Sequence, residues 1–341
     1  MPVPKISKNL FTIVLTALVV AACGGGGGGT SSGSTVPTAG VSITTANAKT
    51  VSAATLDSID TVQGATSGAD FLPAVSINGQ PGSFNYPDFF TRQLDRFSVV
   101  ESMSSGNVSG VAISGVDNCS GGGTVSVSGN IFTTGSLTAG DTISLVFNNC
   151  IHLGDVANGS MSMTITQISP GYDGNPPYTL GINVVLSGFS VNASGFVITS
   201  NGDLAMLTDE DLSDNINMIL SGTSLTATAG GQSEMLRNYR YEIMANLIGG
   251  PFSFSLQGTF ASTRINGAIS YSTITPFTGN DLVGTGEATI GELHITTSAD
   301  NSQAWLIAQP DGINVQIDID LDGDNTVDNT VMTTWTELYS L

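Results

Sequence analysis

From residue 108 to the end of the chain, apolar side chains recur at every second position. Ile143, Leu145 and Phe147 alternate with polar residues, and the same period returns in later runs, for example at 160–165, 180–186 and 315–321. A period of two places the apolar residues on one face of an extended chain. The pattern therefore predicts strands with one dry face and one wet face, roughly fourteen of them at hairpin spacing, in a domain covering residues 108–341.

Residue pairs that are typical of tight turns separate several of these runs. They are Asn158-Gly159, Asn201-Gly202, Asn266-Gly267 and Asp311-Gly312. Both central residues of a type I′ hairpin turn need positive φ, which such pairs tolerate best. The sequence thus predicts an all-β fold, a large curled antiparallel sheet of sequential hairpins that forms a sandwich or a partly open barrel.

A helical segment at residues 45–107 is predicted ahead of the sheet. A first helix, at 45–62, carries Ala, Leu and Ile at loosely helical spacing. A second, at 87–103, opens with Pro87 and repeats apolar residues at i, i+4 and i+7. We therefore expect one or two helices at the amino-terminal side of the sheet.

The first 22 residues have the organisation of an export signal: Lys5 and Lys8, an uncharged apolar run and two alanines lead to Cys23. The apolar run is shorter than the ~20 residues that a membrane-spanning helix needs. The ending Val-Ala-Ala-Cys resembles the lipobox of bacterial lipoproteins. This resemblance implies removal of residues 1–22 and acylation of Cys23 by palmitate-like chains. Because Gly24 and not Asp follows Cys23, the resemblance also implies anchoring in the outer membrane. It does not decide whether the protein lies on the periplasmic face or on the cell-surface face.

Residues 23–44 are predicted to form a tether rich in Gly and Ser. Six glycines follow Cys23, and small or polar residues continue to about Val41. Such a composition behaves as a flexible coil with a reach of roughly 25 Å. The tether therefore holds the β domain clear of the membrane headgroups.

The mature chain is strongly acidic. The sequence has 28 acidic and 8 basic residues, and because two of the basic ones lie in the leader, the net charge after cleavage is about −22. A surface of this sign repels nucleic acid, so nucleic acid is excluded as a partner. Only 11% of the residues are charged, which means that Ser, Thr, Asn and Gly must cover most of the surface.

Two cysteines remain once Cys23 is assigned to lipid. Cys119 and Cys150 are expected to form a disulfide in an oxidising compartment. The competing interpretation, a metal or redox pair, calls for C-x-x-C spacing or for several neighbouring histidines. Only His152 lies near in sequence, which favours the disulfide.

An acidic loop near the carboxyl end predicts a cation site. Asp320, Asp322, Asp324 and Asp328 occupy positions 1, 3, 5 and 9 of a loop, from which carboxylates can converge on one hard cation. The loop resembles the calcium loops of dockerins and thrombospondin type 3 repeats, which implies structural calcium. It departs from the twelve-residue pattern because position 12 is Val331 and not an acid. The alternative is a group of solvated charges that discourages edge pairing at a hairpin tip.

The residues do not favour an enzyme. His152 and His294 both lie in alternating runs and are interpreted as ordinary strand residues. A second acidic group is interpreted as a solvated loop; it consists of Asp209, Glu210, Asp211 and Asp214. The chain has no convincing nucleophile motif and no phosphate-binding loop, so a hydrolase would depend on carboxylates alone.

Three functions from different classes remain open. The first is a structural or adhesive envelope protein that displays a hydroxyl-rich, acidic β surface. The second is a carrier of a lipid or other apolar ligand, lined by methionines; the candidates are Met161, Met163, Met206 and Met218. The third is a hydrolase of envelope polymers. The one predicted partner is the membrane, which the chain reaches through its lipid. Whether it also binds a protein, a polysaccharide or an apolar ligand is left open.

Overall fold

The structure, a computed structural model, describes residues 36–63, 111–119, 121–131, 138–152, 155–169, 176–193, 196–229, 231–246, 250–280 and 287–341. Within them lie two helices, α1 (Ala48–Gln63) and α2 (Trp335–Leu338). The strands are β1 (Val111–Asn118), β2 (Gly122–Ile131), β3 (Thr142–His152), β4 (Asp155–Ser169), β5 (Tyr178–Ala193), β6 (Phe196–Glu210), β7 (Asn215–Ala229), β8 (Gln232–Asn246), β9 (Phe252–Ser262), β10 (Gly267–Gly279), β11 (Ile290–Thr296), β12 (Gln303–Ala308), β13 (Asn314–Asp320) and β14 (Asn329–Thr334). The helix predicted at 45–62 is confirmed as α1, and the one predicted at 87–103 lies outside the described residues.

These strands form one antiparallel sheet whose spatial order follows the sequence from β1 to β14. Over the described residues the first and last strands do not pair with each other, so the sheet is open. The predicted all-β class, with sequential hairpins, is confirmed. Strands β4 to β8 have 15 or 16 residues each and run for about 50 Å, so they are longer than the short strands expected from the alternation.

A line of residues with positive φ crosses the long strands. This line, here called the crease, consists of Asn149, Gly159, Gly188, Gly202 and Asn238, one each from β3, β4, β5, β6 and β8. The pairing register shifts at each of these places. A β-bulge bends its strand and increases the local twist. Bulges aligned across neighbouring strands therefore curl the sheet.

Two of the four pairs predicted as hairpin turns belong to the crease, and the prediction of a turn is wrong for them. Asn158-Gly159 lies inside β4 and Asn201-Gly202 inside β6. The other two pairs lie at turns between strands, as predicted. The physical reason is that positive φ at Gly serves a bulge as well as a turn.

The asparagine of each bulge pair also bonds to the neighbouring strand. The Asn158 side-chain oxygen accepts a hydrogen bond from the Asn149 N–H at 2.8 Å. The Asn201 side-chain oxygen accepts one from the Gly188 N–H at 2.6 Å. Both donors lie in the crease, so these amides replace bonds that the bulges remove from the ladder.

Helix α1 lies on the dry face of the sheet, inside its curl. Every residue from 51 to 58 is buried, and α1 contacts β8, β9, β13 and α2. A helix that is buried all round must be surrounded by protein, and the small side chains of Ser52, Ala53 and Ala54 permit the close approach. Neither helix in the described part of the chain is long and apolar enough to cross a bilayer.

The amino-terminal segment is tied to the sheet before α1 begins. The Ala268 N–H donates to the carbonyl of Ala39 at 2.8 Å, and the Ile43 N–H donates to the hydroxyl of buried Ser302 at 2.8 Å. The last residues of the predicted tether therefore lie against the sheet, next to the start of β10.

Candidate functional site

The predicted acidic loop connects β13 to β14. Its backbone turns at Gly323 and Asn325, which have φ of 80° and 65°, a conformation that Gly and Asn adopt at least cost. Asp322 and Asp324 each accept a hydrogen bond from the backbone N–H two residues further on. These Asx turns wind the loop tightly.

Asp320 is the centre of this loop. Its side chain is fully buried and accepts hydrogen bonds from the N–H groups of Gly323 at 2.7 Å and Asn325 at 2.8 Å, with the Gln303 amide at 3.3 Å. Burial raises the pKa of Asp320, but the backbone donors outweigh it and hold the pKa below its ordinary value. The carboxylate therefore stays ionised at neutral pH, and Asp320 is not one of the solvated charges of the alternative interpretation.

Three of the four predicted ligands come together. Carboxylate oxygens of Asp320, Asp322 and Asp328 lie within 4.8 Å of one another, and Asp322 and Asp328 are exposed. Asp324 lies outside this group, with its carboxylate accepting from the Thr326 N–H at 2.7 Å. A set made only of carboxylate oxygens fits a hard cation such as calcium, so the donor chemistry agrees with the predicted ion, whose binding stays a prediction.

The predicted disulfide is confirmed. Cys119 and Cys150 are bonded, with their Cα atoms 5.3 Å apart. The bond joins the end of β1 to β3, across β2, and Cys150 belongs to the buried core. Cys23, the predicted lipidation site, lies outside the described residues.

Of the remaining sequence candidates, His294 is linked to the acidic loop through Gln303, whose amide nitrogen donates to Asp320. His294 stacks on Trp305 with ring centroids 4.9 Å apart, and its Nε2 lies 2.6 Å from the Gln303 amide oxygen. The second acidic group lies at the end of β6 and in the loop that follows, where Asp211 caps its own turn by accepting from the N–H groups of Ser213 and Asn215. All four methionines of the carrier interpretation are buried in the core.

The wet face carries two rows of hydroxyl and amide side chains. The first row holds one serine per strand from β1 to β4, namely Ser114, Ser128, Ser144 and Ser162. The second runs from β2 to β5 and holds Asn130, Thr142, Thr164 and Asn183. Neighbouring members of a row lie about 4.8 Å apart, the spacing of the strands. Neither row contains a charged residue, so this part of the surface offers regularly spaced neutral donors and acceptors.

A buried charged cluster escaped the sequence analysis. Asp57 of α1 forms an ion pair with Arg264, which lies in the turn between β9 and β10. Glu234 of β8 is buried beside them and accepts from the Ser262 hydroxyl at 3.3 Å. Burial raises the pKa of Glu234 to about 8, while the positive charge of Arg264 and the Ser262 bond act against it. The sequence did offer one signal of this cluster, because Asp57 is an acidic residue within the helix predicted at 45–62.

This cluster docks the helix on the sheet. Breaking a buried ion pair leaves an uncompensated charge, at a cost of about 3–5 kcal/mol. The pair of Asp57 and Arg264 thus fixes the position of α1 relative to β9 and β10. Its role in the described structure is to position α1.

Comparison of the chain with protein-family models, with curated proteins and with solved structures found no match. The functional assignment therefore depends on the motifs and on the geometry described above.

Proposed function

We propose that this chain is a lipoprotein, anchored through Cys23 in the outer membrane, with a non-enzymatic structural or adhesive role at the cell envelope. The leader and the tether support the anchoring, because a lipidated cysteine followed by a flexible coil holds a domain near a membrane. The function itself is carried by one observation, the two neutral rows on the wet face.

Rows of hydroxyl and amide groups suit adhesion for a physical reason. Each group can donate and accept a hydrogen bond, and an exposed neutral group is less costly to desolvate than a charge. One such contact is weak, but equally spaced contacts engage a repetitive surface together, so their avidity exceeds that of any one contact. The rows span β1 to β5, which gives this part of the sheet a width of about 19 Å.

The proposal includes structural calcium at the acidic loop. Asp320, Asp322 and Asp328 are the residues that would hold the ion. A bound cation would offset the repulsion between these carboxylates and fix the connection between β13 and β14. Its contribution is to stability, since the loop belongs to neither row.

A deletion strain tests the proposal. Cells that lack the protein should be retained on a hydroxylated surface under shear flow in smaller numbers than parent cells. The full chain should restore retention, whereas Cys23→Ala should release the protein from the membrane fraction and leave retention low. Equal retention of deletion and parent cells would contradict the proposed function.

The rows are tested with a matched pair of variants. Ser162→Asp places a charge in the first row and should lower retention. Ser272→Asp places the same charge at another exposed serine, in β10 and outside both rows, and should leave retention unchanged.

A further inference from the structure

A groove of about 780 Å³ crosses the ends of strands β6 to β11. We call it the distal groove and define it by a row of wet-face residues, one per strand: Asp209, Asn217, Met244, Ser253, Thr278 and Ile290. Six strands at their usual spacing give the row a length of about 24 Å. The groove is therefore long enough for an extended oligomer.

Along the distal groove each apolar side chain follows two polar ones. Met244 and Ile290 are 49% and 56% exposed, so they present apolar contact area. Asn217 and Ser253 lie at the surface, and the part of the chain that the structure describes gives their side chains no hydrogen bond. The groove thus combines free amide and hydroxyl groups with apolar patches along one line.

The charges of the groove select against ionic ligands. Among the described residues that line it there is no Lys, Arg or His, which disfavours phosphates, uronates and other anions. Asp211 has both carboxylate oxygens occupied, by the N–H groups of Ser213 and Asn215 and by the Asn215 amide at 2.9 Å. Asp209 is left as an acceptor, with one oxygen 3.3 Å from the Thr179 hydroxyl. Both carboxylates lie at the β6 end of the groove, so the rest of its length offers no charge to a polycation.

The position of the groove relative to the tether indicates where its ligand lies. The amino-terminal segment pairs with Ala268 at the start of β10, whereas Thr278 and Gly279 in the groove lie at the end of that strand. Ten residues of strand separate the two places by roughly 30 Å. A sheet held by its amino-terminal segment therefore presents this groove on the side away from the anchor.

From these features we infer that the distal groove binds an extended neutral oligosaccharide. A sugar chain offers hydroxyl groups that donate and accept along its edges, matching Asn217, Ser253 and the carboxylate of Asp209, and apolar C–H faces, matching Met244 and Ile290. The inference rests on the proposed adhesive role and names the partner class of that role.

The test is calorimetric titration of the full chain, extracted in detergent, with neutral gluco-, manno- and N-acetylglucosamine hexasaccharides. Hexagalacturonate is the anionic probe and hexalysine the cationic one. At least one neutral probe should bind, and Asn217→Ala should weaken it about tenfold, as expected for one lost hydrogen bond with its desolvation cost. Met244→Ala should also weaken binding without removing any hydrogen bond.

The matched control is Asn148→Ala, an exposed wet-face asparagine of β3 outside the groove and outside both rows, and it should leave binding unchanged. Unchanged circular dichroism shows that the variants fold. The inference is overturned if no neutral probe binds, if both asparagine variants lose binding equally, or if either ionic probe binds with the same sensitivity to Asn217→Ala. If no neutral sugar binds but retention still depends on the protein, this inference alone is overturned. If the deletion strain is retained as well as the parent, the proposed function is overturned.

Discussion

Gly202 gives the sharpest test of how the sheet curls. It lies in the crease with φ of 132°, and a Cβ added there would stand 2.0 Å from the Ser224 carbonyl oxygen and 2.7 Å from the Leu225 Cα. Both are backbone atoms of β7, so no side chain can move aside. Gly202→Ala must therefore either separate β6 from β7 or flatten the bulge.

The magnitude follows from two costs. A residue held in a conformation that suits only glycine costs about 1–3 kcal/mol, and forcing extra volume into a packed site costs about 1–3 kcal/mol more. We expect Gly202→Ala to lower the free energy of unfolding by about 3–5 kcal/mol. Gly188→Ala is the matched control in the same crease: its φ is 54°, but no atom lies within 4 Å of the added Cβ, so only the conformational cost of about 1–2 kcal/mol applies.

The assay is urea unfolding of the exported Cys23→Ser chain, followed by far-ultraviolet circular dichroism. Gly115→Ala serves as the baseline, because this strand residue has open space around the added Cβ and should change stability by less than about 0.5 kcal/mol. Gly202→Ala must exceed Gly188→Ala by about 2 kcal/mol. Equal effects of the two would show that close contact between strands at the crease does not shape the sheet.

Three further predictions concern charge, metal and disulfide. Glu234→Gln should make the protein more stable than wild type above pH 5. The pKa of Glu234 is about 8 in the folded protein against an ordinary value of 4.5, so between these values the folded wild type binds more protons than the unfolded chain. The free energy of unfolding of the wild type therefore falls by up to about 1.4 kcal/mol per pH unit until pH 8. Urea titrations from pH 5 to 9 check this, and parallel curves for the two proteins would refute it. Calcium should raise the thermal midpoint, because at a hundred times Kd it adds about 2.7 kcal/mol to the free energy of unfolding. Asp328→Asn should abolish this rise. The same midpoint in calcium and in chelator would contradict calcium binding by the loop. Reducing the Cys119–Cys150 bond, which spans 31 residues, should cost about 3–4 kcal/mol, and an unchanged urea midpoint after reduction would contradict that role.

The period-two pattern predicted the fold class because each strand has one buried face and the register follows from it. The same pattern could not locate the crease. In β5 the buried apolar side chains lie at even positions up to Leu186 and at odd positions from Phe189 onward. In the sequence a bulge therefore looks like the end of one strand and the start of another. This is why the alternation predicts short strands where the structure has long ones, and why two Asn-Gly pairs inside strands resemble turns.

The candidate sites also divide into those that the sequence predicts and those that it does not. Local spacing was enough to bring out the acidic loop, and assigning Cys23 to lipid left Cys119 and Cys150 as the predicted pair. The distal groove joins residues from Asp209 to Ile290 that meet only through strand register, and Glu234 meets Asp57 only because α1 enters the curl. Sequence distance conceals such juxtapositions until the register and the path of α1 are known.

The central claim, that the sheet itself is adhesive, is tested most directly without cells. Latex beads that carry the chain, coupled through its amino-terminal tether at position 23, are placed on a hydroxylated surface, and the shear that detaches half of them is measured. The account predicts that wild-type beads withstand clearly higher shear than bare beads and that Ser162→Asp lowers this resistance while Ser272→Asp does not. Detachment of wild-type beads at the shear that removes bare ones would contradict it.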